Sequence, residues 1–472
     1  MMTVVQKAVE NAAEMIKKHD YARVVSHYDA DGITSAGIIC NALLREGIQF
    51  HTTIVSKLER SFIQGLTEEL IIFCDMGTAH LDLISEYLKE KDVIIIDHHS
   101  APLTSISTSS PSSFVHINPY LSKSEHRGEG EMDSEICAAG LSYLVARRLS
   151  GDGKANIDLA GLAVAGTLGD KLEPNIGINK MILDEAINGG VISLKTGLKF
   201  GDGKIRDLIL FSTDPYIPLV GKVEWVDAFL NKVGIEGDKE LSDLEGEEER
   251  RLTAALLSLS RESATGISED ALVGTTYILN SEVVRNGVDF MRLVDACGRF
   301  GKAGIGIGLC LREEKMIEEA TSLHTKFQGK LVSELNRIES EEGIIKELPH
   351  IFYFYVHESG ITGVLAGIVA EYLYTEKPVI ALNKKNRAEE GKRAETKISA
   401  RCNKKLLSVS EAEGEGKDEG IDLAKAMEKA SKEVGGYGGG HPVASGASIP
   451  EGSEEKFIAA LDRIIGEQRR KN

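Results

Sequence analysis

The sequence predicts an α/β protein whose first domain is built on a parallel β-sheet. Within the first 180 residues, apolar runs alternate with helical patterns, which is typical of β-α-β units. Strands of a parallel sheet are buried on both faces and therefore read as continuous apolar runs. The stretches 23–26, 71–74 and 93–96 have this character, and 161–168 is interpreted as a further strand of the same kind.

Acidic and imidazole side chains follow all four apolar runs. Open α/β sheets bind ligands outside the carboxyl ends of their strands, so we expect these side chains to meet at one edge of the sheet. The group comprises His27, Asp29, Asp31, Asp75, Asp97, His98, His99 and Asp170. The sequence therefore predicts one site that pools three histidines and five aspartates.

Such a cluster favours a metal site. Carboxylates and imidazoles that meet away from water are unfavourable unless a cation lies among them. Two divalent ions about 3.5–4 Å apart are a common arrangement for phosphodiester hydrolysis, and a carboxylate-rich site suits manganese or magnesium. Asp29 or Asp170 alone would be interpreted as a helix N-cap. Four acidic loops within 170 residues argue against that interpretation for the whole set.

Composition limits the class of protein. The chain has 472 residues, which predicts two to four domains, and no apolar run approaches the ~20 residues of a membrane span. The net charge of −18 argues against nonspecific binding of nucleic acid, although bound cations and a local basic groove are compatible with a nuclease. Six cysteines without paired CxxC spacing predict reduced thiols in a cytoplasmic protein.

The pattern along the chain predicts two α/β domains joined by a helix. The first domain spans residues 1–310, with a helical insertion at about 195–285. Residues 311–345 lack proline, are rich in Glu, Lys and Leu, and are interpreted as one long connecting helix. A smaller α/β domain follows at 346–472.

The second domain has its own candidate site for phosphate. Residues 435–441 form a glycine-rich stretch that is interpreted as a loop, and its free backbone N–H groups would suit an anion. Ser399 and Arg401 are two apart in a predicted strand and therefore face the same side, where the guanidinium can bind phosphate as a fork. The candidates from the glycine-rich stretch are Gly439, Gly440 and His441.

Two further basic positions are candidates. In the segment 295–302, small residues would let a ligand approach the main chain closely, and Arg299 supplies a positive charge. A helix C-cap explains Gly298 equally well. Arg60 is an isolated signal.

Together these motifs resemble the DHH phosphoesterase superfamily over nearly the whole chain. The spacing His27-x-Asp29-x-Asp31-Gly32 is similar to its first motif, and Asp75 to its second. Asp97-His98-His99 and Gly169-Asp170 are similar to its third and fourth motifs. The Gly-Gly-Gly-His and Ser-x-Arg segments resemble the DHH-associated domain, and the Asp-Ala-Cys-Gly-Arg segment resembles a feature of RecJ-type single-strand exonucleases, particularly archaeal ones.

The resemblance implies a role for each residue. It implies a parallel-sheet DHH catalytic domain, a connecting helix and a smaller DHH-associated domain. One ion, manganese first and magnesium as the other candidate, would bind His27, Asp29 and Asp75, and the second would bind Asp31, Asp75, His98 and Asp170. His99 would face the scissile phosphate, and Asp97 would orient a neighbouring histidine. The backbone or terminal phosphate of the nucleic acid would contact Arg60, Arg299, Ser399, Arg401, Gly439, Gly440 and His441.

Three functions follow from this resemblance. The first is an exonuclease on single-stranded DNA, with 5′-to-3′ polarity as the leading expectation, and on RNA as well, acting in DNA replication or repair. The second is a phosphodiesterase for oligoribonucleotides or cyclic dinucleotides, whose relatives are shorter. The third is a subunit of a replication complex, since some RecJ relatives have lost metal ligands. The retained ligands argue against that third role as the sole one, while a GINS or replicative helicase partner stays an expectation.

Overall fold

The computed structural model describes residues 2–99, 113–124, 136–151, 155–262, 267, 269–384, 394–407 and 420–470. The chain divides into two compact units. The first unit comprises Met1–Gly197 and Thr275–Thr325, and the second comprises Leu198–Gly274 and Lys326–Asn472.

The strands are numbered in chain order. They are β1 (Tyr21–His27), β2 (Gln49–Val55), β3 (Leu70–Cys74), β4 (Asp92–Ile96), β5 (Phe114–Ile117), β6 (Ile192–Leu198), β7 (Val273–Leu279), β8 (Lys346–Glu347), β9 (Phe352–Tyr355), β10 (Val379–Asn383), β11 (Glu395–Arg401), β12 (Tyr437–Gly440) and β13 (Ala444–Pro450).

The α-helices are numbered in the same way. They are α1 (Met2–Ile16), α2 (Ala30–Arg45), α3 (Arg60–Gln64), α4 (Leu81–Tyr87), α5 (Ala138–Leu149), α6 (Ala160–Gly169), α7 (Gly177–Asn188), α8 (Ile205–Leu210), α9 (Val223–Val233), α10 (Gly246–Glu262), α11 (Glu269–Leu272), α12 (Gly287–Arg299), α13 (Ala303–Cys310), α14 (Ile317–Ser340), α15 (Thr362–Ile368), α16 (Leu423–Glu433) and α17 (Glu454–Arg470). No helix in the described part of the chain is both long and apolar enough to cross a bilayer.

The first unit is built on a five-stranded sheet with the order β2-β1-β3-β4-β5, and all of its pairs are parallel. The order reverses between β1 and β3, which is the switch point where open α/β sheets bind ligands. Ser26 pairs with Cys74, and Cys74 with Ile96, so β1, β3 and β4 end at the same level. The residues that follow these three strands therefore emerge side by side.

The sheet is buried on both faces because its side chains alternate between two helical layers. Val25, Phe73 and Ile95 pack with apolar residues of α3 and α4 on one face. The other layer includes α2, α5 and α6, with α2 packed against both of the others and against α12 and α13. The predicted α/β fold with a parallel sheet is confirmed.

The prediction of a strand at 161–168 is wrong, because this segment forms the helix α6. An apolar run cannot distinguish a buried strand from a buried helix by its pattern alone. The run consists mainly of Ala, Gly and Leu, and it is apolar on all sides because α6 contacts α2, α5, α7 and α12. Gly166 permits this packing, since an added Cβ would lie 2.5 Å from the Ala139 side chain.

The second unit contains a six-stranded sheet with the order β12-β13-β11-β10-β9-β8. Only β9 and β10 among its described pairs run parallel. The glycine-rich stretch predicted as a loop is mostly the edge strand β12, so that prediction is wrong. Its glycines allow close packing, because a Cβ on Gly438 would lie 2.9 Å from the carbonyl oxygen of Met427 in α16.

The region at about 195–285, predicted as a helical insertion, contains strands as well as helices. It holds α8 to α11, and its ends form the two-stranded sheet of β6 and β7. The helix α14 lies within the segment predicted as the connecting helix. The domain boundaries at residues 310 and 345 stay predictions.

Candidate metal centre

The first strand-end loop places three of the predicted ligands. His27 is the last residue of β1, Asp29 is the N-cap of α2, and Asp31 lies in the first turn of that helix. Asp29 has two roles, because Oδ1 accepts the Gly32 N–H at 3.1 Å while Oδ2 lies 2.9 Å from His27 Nδ1. Gly32 is required for this tight turn, since a Cβ there would lie 2.4 Å from the His27 carbonyl oxygen. Capping and ligation are therefore compatible at Asp29.

Asp31 is held from behind by a helix N-terminus. It is buried, and its two carboxylate oxygens accept the N–H groups of Ala138 and Ala139 at 2.8 Å each. These amides begin α5, whose N-terminal dipole favours a negative charge. Burial and the charge of Asp75 nevertheless raise the pKa of Asp31 to about 7. The carboxylate is thus fixed in position but is costly to ionise without a cation.

Asp75 lies between two histidines. Its Oδ2 is 3.3 Å from His27 Nδ1, and its Oδ1 is 3.3 Å from His98 Nε2. The backbone of Asp75 is left-handed with φ 56°, and its N–H donates to the Ile96 carbonyl at 2.8 Å. Aspartate is one of the few residues that tolerate this conformation. The loop after β3 therefore directs one carboxylate to both halves of the cluster.

Asp170 reaches the cluster from the end of a helix instead of a strand. Its Oδ2 lies 3.1 Å from His98 Nε2, which is also 3.7 Å from Asp31 Oδ2. Gly166 and Gly169 let α6 approach the start of α2, where a Cβ on Gly166 would lie 2.8 Å from Asp31 Oδ1. Close helix packing thus places Asp170 where a strand end was predicted.

The third motif places His98 among the carboxylates of the cluster and holds His99 against Asp97. The Nδ1 atom of His99 lies 2.7 Å from Asp97 Oδ1, which also accepts the backbone N–H groups of His98 and His99. Asp97 Oδ2 accepts the Thr78 N–H at 2.9 Å. Burial opposes ionisation of Asp97, but His99 and these donors hold its pKa well below the usual range. Asp97 is therefore a fixed acceptor that orients the His99 ring.

Within the described ranges, the side chains gather into three overlapping groups that could hold metal ions. Within each group, the candidate ligand atoms lie within 4.8 Å of one another. The groups are His27, Asp29 and Asp75; Asp31, His98 and Asp170; and Asp75, His98 and His99. Asp75 and His98 each belong to two groups, so the arrangement suits two neighbouring ions with shared ligands.

Unsatisfied atoms support a bound cation. Among the described residues, three buried atoms of the cluster lack a hydrogen-bond partner: His27 Nδ1, Asp75 Oδ1 and Asp170 Oδ2. His27 Nδ1 is close to Asp29 without hydrogen-bond geometry, which is expected for two ligands of one ion. Buried polar atoms are rarely left unsatisfied, and a divalent ion would satisfy all three. The mixed nitrogen and carboxylate donors fit manganese or magnesium.

The charges of the cluster also require a cation. Burial by itself lowers the pKa of His27, but the charges of Asp29 and Asp75 raise it well above its ordinary value. Burial and the charge of Asp31 raise the pKa of Asp170 well above its ordinary value. The metal-free site therefore favours bound protons, and a divalent ion would compete with them.

The two basic candidates of the first unit lie in different surroundings. The Arg299 side chain is 19% exposed and is paired with Asp295, one helical turn earlier in α12. Gly298 is inside that helix and is no C-cap, and a Cβ there would lie 1.6 Å from the Tyr28 carbonyl oxygen. Close approach to the first motif thus explains Gly298. Arg60 is exposed at the start of α3 and donates to the Tyr87 hydroxyl at 2.6 Å.

The candidates of the second unit gather at one end of its sheet. Ser399 pairs with Gly446 of β13, which pairs in turn with Gly439 of β12. Arg401 pairs with Ala444, whose carbonyl accepts the His441 N–H at 2.9 Å. Ser399 and Arg401 both approach Gly363, where a Cβ would lie 3.5 Å from the serine hydroxyl and 3.0 Å from the guanidinium. Gly440 adjoins this group at the end of β12.

Sequence reasoning missed the residues that support the third motif. Asn118 directly follows β5, and Thr78 follows the Asp75 loop, and both side chains are buried. The Asn118 amide donates to the His99 carbonyl at 2.9 Å and to the Thr78 hydroxyl at 3.0 Å. The rule that polar residues after parallel strands share a site would have identified Asn118 if 114–117 had been recognised as a strand.

Two family models match parts of the chain. The DHH family, N-terminal domain, matches residues 22–167, and the DHHA1 domain matches residues 349–467. An uncharacterized protein of Methanocaldococcus jannaschii is 31% identical over 477 residues, which cover 99% of this chain and 98% of that protein. The single-stranded-DNA-specific exonuclease RecJ of Bacillus subtilis is 24% identical over 376 residues, covering 74% of this chain and 44% of RecJ.

Solved structures share the fold. RecJ of Thermus thermophilus in complex with Mn²⁺ has a TM-score of 0.57 at 18% identity, covering 98% of this chain and 55% of that one. CDC45 of Entamoeba histolytica has a TM-score of 0.63 at 12% identity, covering 98% of this chain and 99% of that one. At these identities the likeness concerns the fold alone.

Proposed function

The chain belongs to the DHH family as a RecJ-like protein, and we propose that it is a two-metal phosphodiesterase that removes nucleotides from an end of single-stranded nucleic acid. DHH family members are metal-dependent phosphoesterases. Single-stranded DNA cut in the 5′-to-3′ direction is the first substrate of the proposal, with RNA as the second, and DNA replication or repair as the setting.

The sharing of Asp75 and His98 between groups of ligands is the observation that carries this proposal. A single ion would use one group and leave other buried carboxylates uncompensated. His27, Asp29 and Asp75 would hold one ion, and Asp31, His98 and Asp170 would hold the other. Asp75 would serve both, because its Oδ1 lies 3.3 Å from His98 Nε2. Two such ions, manganese or magnesium, supply Lewis-acid activation of the phosphate and stabilise the charge of the leaving oxygen.

The residues of the chain supply the remaining parts of the reaction. The side chain of His99 is 42% exposed, whereas Asp97 behind it is 1% exposed. Because His99 Nδ1 is committed to Asp97, contact with a scissile phosphate falls to Nε2. Burial by itself lowers the pKa of His99, but Asp97 raises it overall, so the ring can offer a proton to a phosphate oxygen.

The proposal assigns recognition of the strand end to the second unit. Ser399, Arg401 and His441 lie near glycines whose backbones a phosphate can approach closely, and the guanidinium can bind a terminal phosphate as a fork. Arg60 and Arg299 stay candidates for contacts with the nucleic-acid backbone. The pairing of Arg299 with Asp295 leaves it less charge to offer than an unpaired arginine would have.

A subunit of a replication complex is the second candidate, favoured by the likeness in fold to CDC45. A helicase or GINS-type partner belongs to that candidate. The complete set of ligands and their unsatisfied atoms favour an enzyme over a purely structural factor. Binding to a partner and hydrolysis are compatible in one chain.

One experiment tests these alternatives together. End-labelled single-stranded DNA, single-stranded RNA and a dinucleotide are incubated with the protein and Mn²⁺, and the products are followed with time. We expect mononucleotides released from one end of the long strands. Cleavage of the dinucleotide alone would favour the small-nucleotide phosphodiesterase, and no hydrolysis of any of the three would refute the enzymatic proposal.

A further inference from the structure

Asn118 connects two motifs of the site through one buried amide. The residue is 3% exposed. Its Nδ2 donates to the His99 carbonyl at 2.9 Å and to Thr78 Oγ1 at 3.0 Å, and its Oδ1 accepts the Tyr120 N–H at 2.9 Å. Both amide protons and the amide oxygen are therefore engaged, which fixes the side chain in one orientation.

Thr78 extends this connection to Asp97. Its backbone N–H donates to Asp97 Oδ2 at 2.9 Å, and its hydroxyl lies 3.0 Å from His116 Nε2. Burial lowers the pKa of His116 to about 4, so its ring is neutral at physiological pH. The hydroxyl accepts from Asn118 and lies within hydrogen-bond distance of His116 Nε2, so it joins the His116 ring to the same group.

The hydrogen bonds form a closed circuit around the third motif. Asn118 holds the carbonyl of His99 and the side chain of Thr78, Thr78 holds Asp97, and Asp97 holds the ring of His99. The circuit joins the loops that follow β3, β4 and β5. Buried polar networks of this kind restrict the geometry strongly because each lost donor leaves an unsatisfied acceptor.

We propose that Asn118 is a positioning residue that sets the orientation of the His99 ring through the His99 carbonyl and the Thr78–Asp97 contact. The inference rests on the proposed function, because it assigns His99 a place at the scissile phosphate. Asn118 itself touches no candidate metal ligand atom in these contacts. Its loss should therefore affect turnover more than the binding of metal or substrate.

The test compares two substitutions of the same kind. Asn118→Asp keeps the size and the acceptor for Tyr120 but removes both N–H donors. Asn41→Asp is the matched control, since Asn41 is 8% exposed and its Nδ2 donates to two backbone carbonyls, of Gly37 and Cys310, at 2.9 Å each. Asn41 lies ten residues after Asp31 on α2, so its loss perturbs the same unit without touching the circuit.

Two measurements follow for each variant. With Mn²⁺ and single-stranded DNA, we expect Asn118→Asp to lower kcat roughly 10–100-fold, the range found for partners of metal-site histidines, with KM and Mn²⁺ affinity unchanged. The metal-free proteins, labelled with ¹⁵N-histidine, should show a changed His99 ring signal in Asn118→Asp and an unchanged one in Asn41→Asp.

The outcomes separate the two proposals. If the native protein hydrolyses nothing but Asn118→Asp changes the His99 signal, the positioning role stands and the proposed function is refuted. An unchanged His99 signal, or a parallel fall in kcat for both variants, would overturn the positioning role. If Asn118→Asp does not fold, Thr78→Val removes the shared hydroxyl and keeps the Thr78 N–H, and the same signal should change by less.

Discussion

Two candidate sites differ in how deeply their charged groups are buried. One is the acidic cluster of the first unit around Asp31 and Asp75, and the other is the sheet end of the second unit around Ser399, Arg401 and Gly440. In the cluster, Asp31 and Asp75 are 1% and 3% exposed, and several acidic groups lie next to one another. At the sheet end, Ser399 and Arg401 are half-buried and Gly440 is exposed. The first region concentrates an excess of acidic groups away from water, whereas the second presents a guanidinium near solvent.

The difference shows that the two regions depend on their ligands to different degrees. Buried like charges are unfavourable unless a cation compensates them, so a bound cation would complete the cluster. The main chain of the sheet end is hydrogen-bonded without a ligand, because β11, β12 and β13 pair with one another. We therefore expect large effects from changes in the cluster and graded effects from changes at the sheet end.

The largest effect is expected for Asp75→Asn. This change removes a ligand shared by two groups, so we expect loss of Mn²⁺ binding and a fall in hydrolysis well beyond the roughly 100-fold that outer partners cost. Titration with Mn²⁺ followed by electron paramagnetic resonance measures the binding. The control is Asp92→Asn, since Asp92 pairs with His19 at the start of β4. Full Mn²⁺ binding in Asp75→Asn would contradict the shared site.

Gly166→Ala tests whether packing alone can damage the cluster. The added methyl group would lie 2.7 Å from Thr34 Oγ1 and 2.8 Å from Asp31 Oδ1, so it must displace a ligand or its support. Overpacking usually costs about 1–3 kcal/mol of stability, and a displaced Asp31 carboxylate should in addition weaken Mn²⁺ binding. Isothermal titration calorimetry measures this. Gly304→Ala in α13 meets open space and should bind Mn²⁺ normally, and equal binding by both variants would refute the packing argument.

Arg401→Ala tests the sheet end. A hydrogen bond to a charged group contributes about 1.5–3 kcal/mol, and partial exposure reduces this, so we expect a loss of roughly 5–30-fold in kcat/KM on strands with a terminal phosphate. Strands that end in a hydroxyl should be affected less. Lys397→Ala removes a charge from the same face of β11 and is the control. Equal losses on both kinds of end would remove the role in recognising a terminal phosphate.

The smallest effect is expected for the stability of the metal-free protein. Burial and the charge of Asp31 raise the folded-state pKa of Asp170, so the folded protein binds more protons than the unfolded chain above pH ~4. Stability from this group is present below that pH and is lost as the pH rises. Asp170→Asn removes the carboxylate that would ionise, so it should raise the Tm of the metal-free protein by a few degrees. Each kcal/mol of stability corresponds to roughly 2–4 °C in Tm.

The pH dependence supplies the control for this prediction. Thermal unfolding in a chelator at pH 5 to 8 should show the advantage of Asp170→Asn increasing with pH. Asp184→Asn alters an exposed ion pair with Lys180 and should give a small difference that does not increase. If the difference in Tm between Asp170→Asn and the native protein does not change with pH, ionisation of Asp170 does not destabilise the metal-free protein.

Much of the fold and the cluster could be predicted because strand ends in a parallel sheet must meet. The segments before Asp75 and Asp97 are strands, and their order along the sheet brings His27, Asp75 and His98 together. Asp170 is predicted to belong to the cluster because residues 161–168 are interpreted as a strand. They form α6 instead, an apolar helix that is buried on all sides. Its position depends on glycine contacts between helices that no pattern of apolar residues encodes.

The supporting contacts could not be predicted for a different reason. Nothing near Ala138 and Ala139 in the sequence indicates that their N–H groups hold Asp31, because backbone amides are present at almost every residue. The glycines of β12 were assigned to a loop because glycine is depleted from strands, and the approach of α16 overrides that preference. Long-range packing decides both cases.

The left-handed backbone at Asp75 limits which sequences this site can tolerate. Few residues other than glycine, asparagine and aspartate accept a φ of 56° at low cost, and only aspartate among these three carries a carboxylate. Glutamate, the usual conservative exchange, would lengthen the side chain and would also be less favourable in the left-handed backbone at this position. A saturation library at this codon should therefore return aspartate alone under selection for hydrolysis, and should be enriched in glycine, asparagine and aspartate under selection for folding.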